Sequence, residues 1–280
     1  MGSDAEIYLF DYRRYRGEVV PALVDLLRTG EPGTYLTAFF RDTVTGHRMD
    51  FDSRWPSMAA HLRHPPTDLA RWCTWLDGDL GLPGAHTADR RHDLTCPSQT
   101  CPQRDHCVLH ADRAAGEHLN VLYEALVWTR CLDRPQFVGR TFDPYAYIPL
   151  LDALGVPAAD PLRRLLTALG SRGAVMGYMF GTTEGVHGWL TEAETAELAH
   201  RLNALPLPRF EVSYPAMRDL HYASLSRTVR ARARGDDEPA WLELSLAFVR
   251  TVATIAASEG RAVLWGNDVG YDHWIDHFLD

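Results

Sequence analysis

The sequence predicts a helix-rich α+β fold with a small sheet and one insertion, and three observations carry that expectation. Most periodic segments repeat apolar residues at the spacing of a helix face. A few short runs, Glu6–Phe10 and Arg261–Trp265 among them, concentrate branched and aromatic residues as strands do. The stretch 81–113 shows no apolar periodicity and is rich in Gly, Pro, His and Cys. Strands this sparse do not make a doubly wound sheet. A loop of more than about 30 residues is unusual inside a compact domain, so something other than an apolar face must order it. The expectation is one domain over 1–280 with an inserted loop at about 81–113.

The elements follow in order. Glu6–Phe10 reads as a strand. Val19, Ala22, Leu23, Leu26 and Leu27 share a helix face that Gly30 and Pro32 close. Tyr35–Phe40 fits strand or helix. Asp52-Ser53 caps a helix through Leu62, which Pro65-Pro66 breaks, and Thr67 opens a helix over Asp68–Leu80. A long helix is predicted over Ala114–Leu132. Asp143-Pro144 and Asp160-Pro161 each place a cap before a proline at the first turn, starting helices through about Leu154 and Leu169. Ala174–Phe180 reads as a strand and 181–188 as a glycine-rich loop. Thr191-Glu192-Ala193-Glu194 matches a capping box for a helix to Leu205. Phe210–Val212 is an edge-strand candidate, and 216–234 is helical in pattern. Glu238-Pro239 opens an apolar helix over Ala240–Ala257, and Arg261–Trp265 is a strand before a polar-aromatic tail.

Composition narrows the chemistry. All 28 residues counted as Lys or Arg are arginine. Without lysine there is no Schiff base, no Walker-A loop and no kinase lysine in their usual forms. Lysine scarcity fits a GC-rich genome, hence a bacterial-type protein. No apolar run is long enough to span a bilayer, and the acidic N-terminus lacks the pattern of a secretory signal. The net charge of −9 argues against a nucleic-acid partner. Five cysteines, three of them clustered, read as reduced thiols or metal ligands in a cytoplasmic protein.

The cluster is Cys96-x4-Cys101-x5-Cys107-x2-His110. Tetrahedral thiolate and imidazole coordination is what zinc prefers, and three Cys with one His form a standard structural set. Pro97 and Pro102 hold the cysteines before them extended. A bound metal would supply the ordering that the loop lacks in apolar contacts. This segment resembles a CCCH-type zinc finger, over about 15 residues, although its last spacing is shorter than that family's and it lacks the aromatics that stack RNA bases. The resemblance implies structural Zn2+. His106 and His92 are alternatives to His110, and an iron–sulfur cluster or unliganded thiols are the other readings.

Two further clusters could carry chemistry. The glycines between Gly177 and Gly188 permit close backbone approach to a ligand, and Glu184 and His187 could act as an acid/base pair. They could equally serve a plain strand-to-helix connection. In the tail, His273 and His277 lie four apart, as do Asp272 and Asp276, so each pair shares a helix face. The plain alternative is a solvated terminal turn. Arg227, Arg230 and Arg234 share a face that Asp236, Asp237 and Glu238 can neutralise. Neither a GxSxG elbow nor an HExxH motif is present.

The leading functional expectation is a soluble intracellular binding, regulatory or immunity-type module with a structural zinc site, meeting an unidentified protein or small-molecule partner and no membrane. The alternative is a metal-dependent enzyme acting on a small molecule through Glu184, His187 and His273 with the C-terminal His/Asp cluster. RNA binding through the cysteine segment and the arginine face is a weaker third.

Overall fold

The computed structural model describes residues 4–66, 113–140, 143–172, 185–208, 238–269 and 277–278. Its centre is a four-stranded sheet built from β1 (Asp4–Phe10), β2 (Leu132–Arg140), β3 (Gly185–Trp189) and β4 (Ala262–Asn267), in the order β2-β1-β4-β3. All neighbours are antiparallel.

Strand alternation divides the buried side chains between two cores. Tyr8, Phe10, Ala262 and Leu264 point to one face; Ala5, Ile7, Leu9, Val263 and Trp265 point to the other. A register slip between Val186 and Gly188 adds a residue to β3, so Val186 and Trp189 reach the same face although they are three apart.

The first face is covered by helices from the N-terminal part of the chain and one long helix. Asp11 accepts from the Arg14 amide and starts a continuous helical run: α1 (Tyr12–Arg14), a π-turn (Tyr15–Val19) and α2 (Val20–Thr29). The wide turn has a chemical reason. Val20 donates to the Tyr15 carbonyl five residues back, and Pro21, next in line, has no N–H to continue the ladder. Then come α3 (Thr34–Gly46), α4 (Phe51–Leu62) and α5 (Arg113–Cys131). Helix, not strand, forms at Tyr35–Phe40 because Leu36, Phe39, Phe40 and Val44 bury one face together. The cap of α4 is Asp50, which accepts from the Asp52 amide.

The second face is covered by a 3-10 turn (Pro144–Tyr147), α6 (Ile148–Ala153), α7 (Pro161–Ser171), α8 (Glu192–Asn203) and α9 (Glu238–Ser258). Asp143, Asp160 and Thr191 cap their elements as the sequence predicts, with the full capping box at Thr191 and Glu194. Helix α7 packs directly on Gly188: a Cβ there would stand 2.8 Å from the Arg172 nitrogen and the Leu169 carbonyl oxygen. Several polar groups on this side find partners inside the protein. Tyr147 and Ser245 share a 2.7 Å hydrogen bond, and the Val263 amide donates to Thr195. Buried Arg250 donates to the Leu207 and Pro208 carbonyls.

The structure corrects the zinc expectation. Among the described residues no group of three or more His, Cys, Asp or Glu could hold a metal ion. The described elements are held together by the two apolar cores. The fold class is therefore helix-rich with a small sheet and no zinc-ordered insertion among the described residues. The CCCH-type set Cys96, Cys101, Cys107 and His110, Zn2+ as cofactor, the binding module built on structural zinc and the metal-dependent enzyme are all withdrawn with it. Those four residues, with their alternatives His92 and His106, lie outside the described residues, as do the predicted elements at 68–80, 174–180, 210–212 and 216–234. No helix of the described residues is long and apolar enough to cross a membrane.

Candidate functional site

Polar side chains gather at one end of the sheet, on the face covered by α1–α5. Gly185 pairs with Asn267, and Asn267 pairs in turn with Ala5; in the next row Val186, Gly266 and Glu6 lie side by side. The start of β3 and the end of β4 therefore share this end, which brings the residues after Glu184 beside the start of the C-terminal tail.

Helix α5 lies over it. Asn120 and Glu124, one turn apart, interrupt its apolar stripe of Leu119, Leu122, Tyr123, Leu126 and Val127. The Glu124 carboxylate occupies the place a side chain on residue 185 would need, so this position must be glycine; its φ of +97° requires the same. The Asn120 amide nitrogen donates to Glu124 at 3.3 Å. Asn120 is 9% exposed, and its Oδ1 is buried without a hydrogen-bond partner. Across Gly266, on β1, the Tyr8 hydroxyl donates to the Glu6 carboxylate. The donors of this set, Tyr8 and the Asn120 nitrogen, are directed at carboxylates. What the set still presents is the buried Asn120 Oδ1 acceptor beside the Glu124 carboxylate.

An aromatic wall borders it. Tyr15 stands 5.2 Å from Trp189, 5.4 Å from Phe10 and 6.4 Å from Tyr123 between ring centroids. Burial pushes the Tyr15 and Tyr123 hydroxyls far above the ordinary phenol value, so both stay neutral.

A second cluster joins α4, α5 and His277. The His61 and His118 rings lie 4.8 Å apart and the His118 and His277 rings 4.7 Å apart, centroid to centroid. His118 Nδ1 and His277 Nε2 are 2.5 Å apart, in direct hydrogen-bonding contact. Two nitrogens sharing one zinc would stand about 3.4 Å apart, so these are bonded to each other. Burial, countered by Glu117 and reinforced by His61, holds the His277 imidazole below its ordinary value.

Of the residues singled out from sequence, His187 lies within β3, not on a loop, and is 1% exposed. Glu184 and His273 lie outside the described residues. Sequence reading missed Glu6, Asn120, Glu124, His61 and His118. A signal existed for Asn120 and Glu124: a polar pair with i,i+4 spacing set into an apolar helix stripe is costly unless it has a purpose. Glu6 gave less, being one carboxylate at the start of a strand.

Compared with known proteins, the chain matches no family model, no curated protein and no solved structure.

Proposed function

We propose that the protein binds a small molecule rich in hydrogen-bond donors, an amine or amino sugar in chemical class, at the end of the sheet where Asn120 and Glu124 meet Gly185. One observation carries this reading: the buried Asn120 Oδ1 has no partner and sits beside a carboxylate. A buried acceptor left unsatisfied costs about 1–3 kcal/mol, which a ligand donor recovers. The open Asn120 acceptor, the negative Glu124 beside it and the net charge of −9 favour a cationic or neutral guest over phosphate or nucleic acid. Glu184, immediately before Gly185, with His187 and His273, are the acid/base candidates if binding leads to chemistry. The partner is thus a small molecule, and 1–280 is read as one domain organised on the shared sheet. A cytoplasmic setting is in keeping with Cys131, a free thiol that burial pushes up to about 12 and so keeps inert.

Thermal unfolding of the full chain with millimolar glucosamine, spermidine or, as an acidic control, glucuronate tests this. At least one amine should raise Tm by about 3 °C, and Glu124→Gln and Asn120→Ala should each abolish the rise. No response to either amine, or an equal response to glucuronate, refutes it.

A further inference from the structure

The three histidines come from segments far apart in the chain, and they meet where His277 and Phe278 pack back onto the helical layer. Phe278 is buried, 5.5 Å from the Phe40 ring of α3 and 6.2 Å from the His118 ring. We infer that His61, His118 and His277 form a proton-operated clasp that holds His277 and Phe278 on α3, α4 and α5 at neutral pH and releases them in mild acid. This inference stands on the cluster's own geometry and does not depend on the ligand reading.

The N···N contact accounts for the sign. A bond between His118 Nδ1 and His277 Nε2 needs one nitrogen to donate and the other to accept. With both rings neutral, or with one proton added to the pair, that condition holds. A second added proton makes both nitrogens donors and both rings cations at contact distance, so the bond is lost and repulsion replaces it. His61 stacks against His118, 4.8 Å between ring centroids, and borders the same pair. Among the described residues, the titratable and charged groups that act on His277 are His118 of α5, His61 of α4 and Glu117 of α5; α3 meets this end through the Phe40 ring. Glu117 opposes release by favouring the charged form, and it is outweighed by burial and His61. A histidine held below its ordinary 6.5 stabilises the docked state fully above that pH, and the contribution is lost as pH falls through the lowered value. Release uncovers the Phe40–Phe278 contact, so the acid form exposes aromatic surface.

Amide hydrogen exchange of the full chain, expressed as protection factors so that the intrinsic pH dependence cancels, tests the clasp. Between about pH 7.5 and about pH 5.5 the protection of the peptide containing His277 and Phe278 should fall severalfold, as an imidazole whose proton affinity is lowered by docking requires. The fall should shrink to less than about twofold in His277→Gln, which keeps a hydrogen bond to His118 but does not titrate. Unchanged protection in the wild type, or the full fall in the variant, overturns the inference. Should the variant fail to fold, proton NMR of the wild type decides. His118 and His277 should titrate as a coupled pair, the second step below the ordinary value. Two independent single-step titrations at the ordinary value overturn it.

Discussion

The same four strands carry two faces of different chemistry. Under α6–α9 the contacts are mainly aliphatic, with Ile7, Leu9, Val263 and Trp265 packed against leucine-rich helices. Four buried polar side chains there, Tyr147, Ser245, Thr195 and Arg250, are tied off by internal hydrogen bonds. Under α1–α5 the packing is aromatic, and the sheet end carries Glu6, Asn120 and Glu124 with the histidine cluster nearby. Polar groups paired in this way support the fold. A face that keeps a buried acceptor unpaired sacrifices stability, and such a cost is usual where a ligand is to be bound.

Four substitutions break or sharpen this contrast. The largest effect should come from Trp265→Ala on the aliphatic face, which removes a fully buried indole and should cost about 4 kcal/mol in denaturant unfolding. Next is the ion pair that ties α7 to α8, in which Arg172 donates to Glu194 through two bonds of 2.6 and 2.8 Å. Burial alone would raise the Glu194 carboxyl, but Arg172 and the Thr191 amide outweigh it and hold it below the usual carboxylate range. Its contribution is therefore present at neutral pH and lost as pH falls below that range. Arg172→Met should cost about 2 kcal/mol at neutral pH, and the difference from wild type should narrow at about pH 3.

On the polar face the expected stability effects are smaller and the binding effects larger. Gly185→Ala forces a side chain into the left-handed region and against Glu124; it should cost about 1–2 kcal/mol and abolish the amine-dependent Tm rise. Glu124→Gln should change unfolding free energy by less than about 1 kcal/mol in either direction while abolishing the same rise. If Glu124→Gln destabilised the protein as strongly as Trp265→Ala, the polar end would be a structural network and the contrast between the faces would collapse.

Much of the second face was legible in the sequence because its signals are local. Asp143, Asp160 and Thr191 cap through hydrogen bonds spanning two or three residues, and a few consecutive residues encode them. Other elements carry a weak or misleading signal for equally physical reasons. Leu132–Arg140 contains Pro135, which argues against a strand; it is tolerated because β2 lies at the sheet edge, where its register with β1 slips. Residues 181–188 read as a glycine-rich loop, yet Gly185–Trp189 is a buried strand whose glycines admit Glu124 on one side and α7 on the other. The helical run from Tyr12 was missed because Gly17 and Pro21 mark a break that a single π-turn absorbs.

By itself the sequence determined the helix-rich class, the starts of the capped helices, the strands flanking Tyr8 and Leu264, and the exclusion of lysine chemistry. Each depends on residue type or on spacing within one or two turns. Tertiary structure alone decided the strand order, the two faces, the burial of His187 and the meetings of Asn120 and Glu124 with Gly185 and of His61 and His118 with His277. Those contacts join residues 60 or more positions apart, and a periodicity of a few residues cannot encode which distant segment will close against which.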